Sequence, residues 1–308
     1  RVLFRSRLVP RRLTIERYAW ITRAALASLC VIVVSGAAVR LTGSGLGCED
    51  WPRCNEERFI DVSSVHGAIE QVNRLFTGVV TVLVIASVLA ARFLAERRKD
   101  LERLAWLLVV GVVGQIVLGG IVVLTDLNPV ANQGHFLLSM FLVGTGLILV
   151  RKASGRDERV ELPQRETAFV RAIGVLGSLA IITGTVVTGA GPHAGDEKAP
   201  RLDVGIETVA RIHGIAVMLT LVTIVALLVR MRGKGFGRVH SHIESLLAIG
   251  VVQATVGYVQ YFNDIPALLV GVHITLATAF FLAIVALWRA VAPRRVQTDA
   301  ESRATVAR

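Results

Sequence analysis

Apolar residues recur along the chain in eight runs, at 20–39, 74–91, 104–124, 132–150, 168–189, 208–229, 243–262 and 267–288, each bounded by charged or turn-forming residues. Crossing roughly 30 Å of hydrocarbon as a helix takes about 20 apolar residues. A water-soluble core could not hide eight such runs, so the pattern predicts an all-α membrane protein with eight transmembrane helices. The arginines before the first run and the small residues Ser35-Gly36-Ala37-Ala38 have the outline of a signal peptide. Cleavage there would leave seven spans and an outer N-terminus, so the run is read as a true first helix.

Composition agrees. Of 308 residues 53% are hydrophobic, and the mean hydropathy is +0.61. Charge adds orientation. The net charge of +11 would suggest a nucleic-acid partner in a soluble chain. Here 27 of the 34 basic residues fall in the terminal segments and alternate loops, while the acids divide almost evenly between the two sides. That bias places both termini in the cytoplasm of a multi-pass cell-membrane protein. It makes the lipid bilayer the partner and excludes nucleic acid. The polar stretch from Ala292 predicts a disordered tail.

An internal repeat organises the spans. Gln115, Gly119 and His135 recur as Gln253, Gly257 and His273, each 138 positions further on, and Ser35 to Val39 echoes Thr183 to Val187. Four spans per repeat leave the halves parallel, as two tandem four-helix bundles related by a pseudo-twofold axis along the membrane normal. The expected divisions are a cytoplasmic segment at 1–17, an N-terminal half at 18–150, a cytoplasmic linker at 151–167, a C-terminal half at 168–291 and a tail at 292–308.

Three histidines change the picture further. His135, His213 and His273 precede the closing arginines of their spans, Arg151, Arg230 and Arg289, by 16, 17 and 16 residues. The helical rise sets all three about 24–26 Å from the cytoplasmic boundary, in the outer half of the membrane. Ligating side chains inside a span mark a functional site by default. Histidines at one depth on facing helices suit axial ligation of a haem iron, with apolar walls around the macrocycle. The repeat sets Asn73, a poor iron ligand, opposite His213. His66, Glu70 and Asn73 form a polar stripe on one helix face, so the halves differ chemically. In the outer loop from Gly43 to Cys54, Cys48 and Cys54 face the oxidising side and suit a disulfide. Zinc would need a second Cys/His pair.

Together these stretches resemble the haem A synthase family, membrane proteins of two four-helix halves, over about residues 18–290. The matching motifs are Gly43 to Cys54, Glu70 through Arg74, Gln115 to Gly120, His135 to Met140, Val186 to Asp196, Arg211-Ile212-His213 and Gln253 to His273. The resemblance implies an oxidoreductase that converts a methyl group of haem O to the formyl group of haem A, by two oxidations and loss of water, for use in terminal oxidases. It implies a haem b held by His213 and His273, haem O bound in the N-terminal half by His135, and a catalytic role for Glu70. The second histidine of the family's substrate-side pair is Asn73 here, which leaves His66 or an open iron face. It also implies a Cys48–Cys54 disulfide. Arg74 and Arg211 at outer helix ends are candidate propionate contacts. An electron acceptor is required, and haem O synthase and terminal-oxidase assembly factors are candidate partners. A diheme b-type electron-transfer protein would share the histidines but need neither Glu70 nor unequal halves. A transporter would place its polar residues nearer the midplane.

Overall fold

The computed structural model describes residues 13–292; residues 1–12 and 293–308, with nearly all of the expected tail, lie outside the described residues. Among the described residues the chain forms eight helices: α1 (Ile15–Leu41), α2 (Val65–Arg92), α3 (Lys99–Leu124), α4 (Pro129–Ala153), α5 (Gln164–Ala190), α6 (Ile206–Met231), α7 (Gly237–Phe262) and α8 (Ala267–Ala290). All eight are long and apolar enough to cross a membrane. Each apolar run falls in one helix, but α2 starts at Val65 rather than 74. Ser64 Oγ accepts from the Gly67 N–H at 2.9 Å, a side-chain cap that begins the helix well outside its apolar stretch. His66, Glu70, Asn73 and Arg74 therefore stand on continuous helix.

The helices close into two rings. In the first, α1 meets α2, α2 meets α3, α3 meets α4, and α4 returns to α1; α5 to α8 repeat the circuit. The halves meet where α4 and α1 face α8, and α4 faces α5. Val84, Leu101, Leu108, Leu142 and Leu149 fill the first bundle; Ile173, Ile224, Leu227, Ile243 and Leu246 fill the second. Val82, Val110, Val229 and Leu268 point outward, as helices solvated by lipid tails require. Lipid supplies no hydrophobic drive between helices, so close contact rests on small residues. Gly250 of α7 does this against Phe280 and Leu221, and Gly144 of α4 against Phe281.

The internal repeat is visible in the backbone. The α3–α4 turn holds Asp126 and Leu127 at φ 53° and 63°, and the α7–α8 turn holds Asp264 and Ile265 at φ 57° and 55°. Leu127 N–H donates to Val122 O at 2.8 Å, and Ile265 N–H to Gln260 O at 2.9 Å. Left-handed backbone is unfavourable for a branched residue. Both halves nevertheless carry it at corresponding positions, so each turn is held by the bundle around it. At the arginine-rich end, Glu166 Oε1 accepts from Arg230 at 3.0 Å and Lys234 at 2.8 Å, joining α5 to the end of α6.

The α1–α2 loop is stapled by a Cys48–Cys54 disulfide. Its Gly47 lies against the backbone of α2, where an added Cβ would stand 2.4 Å from His66 C and O. Backbone cannot swing aside as a side-chain end can. Gly47→Ala should therefore cost about 1–3 kcal/mol of stability, seen as earlier thermal unfolding in detergent. Gly78→Ala, with nothing within 4 Å of its new methyl, should not lower the transition. Equal transitions for Gly47→Ala and the unaltered protein would contradict this packing.

Candidate functional site

A cavity of about 1130 Å³ opens between the helices and draws its walls from both halves. His135, His213 and His273 all line it, as do Glu70 and Asn73. In the C-terminal half, His213 of α6 and His273 of α8 bring their rings to 6.3 Å between centroids, 72° apart in plane. A nitrogen about 2 Å from a shared metal on each side, plus the ring radii, would separate two such centroids by roughly 6 Å. His213 Nδ1 donates to Ala180 O at 2.9 Å, which leaves Nε2 as the lone-pair nitrogen. Both rings stand over glycine. A Cβ on Gly184 of α5 would lie 3.1 Å from His213 Cε1, and one on Gly257 of α7 would lie 2.9 Å from His273 Cε1. The paired imidazoles, fixed tautomer and apolar walls fit an axially ligated haem.

The N-terminal half repeats the arrangement with one member changed. His135 of α4 stands over Gly119 of α3, its Cε1 3.4 Å from where a Cβ would be. Gln115 Nε2 donates to His135 O at 3.0 Å and to Ser139 Oγ at 2.7 Å. The His135 Nδ1 is buried without a partner. On the facing helix Ser35 Oγ donates to Asn73 Oδ1 at 2.7 Å, matching the place where Thr183 Oγ1 approaches His213 Nδ1 at 3.3 Å. Beneath Asn73 the shorter side chain leaves space, since a Cβ on Gly36 would meet nothing within 4 Å. This half fits a haem held from one side.

His66 is not brought into this constellation. It is exposed at the start of α2, its Nδ1 2.9 Å from Ser44 Oγ, and it is not among the cavity-lining residues. Because α2 runs unbroken, His66 stays a full two turns outside Asn73.

Glu70 is buried at the cavity wall, where its Oε1 accepts from Arg74 Nε at 2.9 Å and Nη2 at 2.5 Å, and its Oε2 from the Cys48 N–H at 2.8 Å. Arg74 also donates to the carbonyls of Asp50 and Arg53 at 3.1 Å each and of Cys48 at 3.5 Å. All five guanidinium donors are thus engaged within the protein, leaving none for a propionate. Its cation stacks on Trp51, 5.0 Å from the ring centroid. Arg211 differs: it is exposed at the cavity edge, with no hydrogen-bond or ion-pair partner among the described residues. Sequence reasoning missed Trp51, Arg40 and Gln133 as cavity residues, and Ser35 as the hydroxyl partner of Asn73. Only Ser35 carried a signal, through its echo in Thr183.

The comparisons point the same way as this geometry. A protein named heme A synthase from Exiguobacterium sibiricum is 30% identical over 167 residues, covering 53% of this chain and 54% of that protein. One of the same name from Listeria monocytogenes is 28% identical over 169 residues, covering 52% and 54%. Another from Bacillus pumilus is 31% identical over 123 residues, covering 39% and 40%. The matched stretch spans about half the length of the first two relatives, or less for the third. The family described as cytochrome oxidase assembly protein, COX15-CtaA, matches residues 18–285, nearly all of the eight-helix body. This chain belongs to that family.

Proposed function

We propose that this protein is a haem A synthase, a membrane oxidoreductase that converts a methyl group of haem O to the formyl group of haem A. The observation that carries the reading is the inequality of two otherwise repeated halves: a histidine pair in one, a single histidine beside a buried carboxylate in the other. An electron-transfer protein with two equivalent haems has no use for that difference. His213 and His273 would hold a resident haem b, and His135 would hold substrate haem O from one side. Bound haem supplies the redox chemistry, while the chain binds, orients and shields it.

Glu70 acts at the substrate half. Its Oε2 accepts one bond and retains room for a second donor. From the cavity wall it takes a proton from the hydroxylated substrate or stabilises positive charge developing at the oxidised carbon. Arg74 holds the carboxylate in place through two bonds to its Oε1. Arg211, free at the rim, pairs with a propionate. The cavity lies toward the outer face, with both termini in the cytoplasm, following the basic bias of the loops.

Three experiments test this. His213→Ala or His273→Ala should remove most of the low-spin b-type signal from purified protein; a double variant with full haem content and an unchanged spectrum would overturn the axial assignment. Glu70→Gln should lower haem A formation about 100-fold, with haem O or its alcohol accumulating in pigment extracts while haem b content holds. Full haem A production by that variant removes Glu70 from the chemistry. After mild reduction of intact cells, Cys48 and Cys54 should react with a membrane-impermeant maleimide. Reaction only in inverted vesicles would reverse the orientation.

A further inference from the structure

The outer end of the seam between the halves holds unpaired positive charge. Arg40, in the last turn of α1, reaches across and donates from Nη2 to Thr188 O of α5 at 2.6 Å, while its Nε is buried without a partner. Gln133 of α4 has a buried Nε2 with no acceptor, 2.9 Å from where a Cβ on Gly189 would stand. Arg201, in the α5–α6 loop, donates to Pro192 O and keeps a buried, unpartnered Nη1. The next residue, Leu202, donates its N–H to Gly189 O at 3.0 Å, which pins the loop to the same turn of α5. Three unsatisfied donors therefore surround Thr188–Gly189.

No carboxylate answers them. Among the described residues, the charged group that acts on Arg40 is Arg201, another cation. Burial lowers the proton affinity of Arg201. Buried donors are nearly always satisfied, and buried charges are nearly always paired. Above Arg40 the two outer loops join, with Gly45 N–H donating to Gly195 O at 2.8 Å, and a Cβ on Gly195 would lie 3.7 Å from Arg40 Cγ. Arg40 and Gln133 line the large cavity below. An anion reaching them comes attached to whatever fills that cavity.

The geometry points to a carboxylate site: Arg40, Gln133 and Arg201 together bind a propionate of a haem seated in the cavity. This rests on the haem-binding reading above and adds a site to it. A lipid phosphate shares the chemistry, so the experiment separates the two.

Full-length protein from haem-starved cells, solubilised in detergent, is titrated with haem b and with its dimethyl ester, followed by Soret absorbance. The unaltered protein should bind the diacid about tenfold or more tightly than the ester. Arg40→Gln and Arg201→Gln should each erode that preference, Arg40→Lys should keep part of it, and ester affinity should stay constant throughout. Constant ester affinity is something a misfolded variant could not show. Equal binding of diacid and ester by the unaltered protein overturns the site while leaving haem binding intact. So does a preference that survives both arginine variants. Loss of co-purifying anionic phospholipid from Arg40→Gln, with the diacid preference unchanged, also overturns it and assigns the arginines to phosphate. Failure of the unaltered protein to bind either form overturns the haem reading itself.

Discussion

Each cavity histidine projects from one helix into a gap on its neighbour that exists because the facing residue is glycine: Gly119 for His135, Gly184 for His213 and Gly257 for His273. A methyl group at Gly184 or Gly257 would press on the ring within about 3 Å, and a ring so displaced could not keep its axis toward the cavity. The interhelical spacing, the ring orientation and the cavity width are therefore one quantity. In lipid, where helices gain little from apolar burial against one another, such small-residue contacts also hold the bundle together. The same glycines thus serve both packing and site geometry.

From that shared frame the halves diverge at one position. Asn73 takes the place of His213 and keeps the hydroxyl partner on the facing helix, Ser35 in place of Thr183. The unused space over Gly36 is the volume that the shorter side chain gives up. On the same helix Glu70, one turn toward its start, and Arg74, the residue after Asn73, clamp the disulfide loop through Cys48, Asp50 and Arg53. A carboxylate whose one oxygen accepts two guanidinium bonds and whose other accepts a backbone N–H has little freedom to reorient. The half that lacks a second cavity histidine is thus the half with a fixed charge pair at its wall.

Much of this was legible in the sequence because two periodicities are strong. Apolar runs of membrane length give eight helices, and counting from the closing arginines sets three histidines at one depth. The eight helices are present in the structure and the three histidines line one cavity, and the offset that links Gln115 and His135 to Gln253 and His273 reappears in the paired left-handed turns at Leu127 and Ile265. Hydropathy could not find the start of α2, because Ser64 caps a stretch too polar to register as a span. Nor could it find the commitments of Arg74, whose acceptors are mostly main-chain carbonyls of a loop some twenty residues away. Arg40 carried no signal in the sequence. Its role depends on α5 lying across the seam, a contact between residues 148 positions apart.

The two ends of the molecule treat charge differently, and the difference has a physical reading. At the arginine-rich end, Glu166 meets Arg230 and Lys234, and Asp157 meets Arg289, so the chain supplies its own counter-ions. At the other end Glu70 neutralises Arg74, but Arg40 and Arg211 at the cavity and Arg201 in the loop beside it have no acidic partner among the described residues. Only 7 of the 34 basic residues lie on that side, so the excess is local and concentrated where the cavity opens. Ion pairs within the chain would hold these helices at least as well as unpaired cations. Arginines left without carboxylates around an apolar cavity suit an occupant that is itself apolar in body and anionic at one edge, seated with its charged edge toward the α1–α2 and α5–α6 loops.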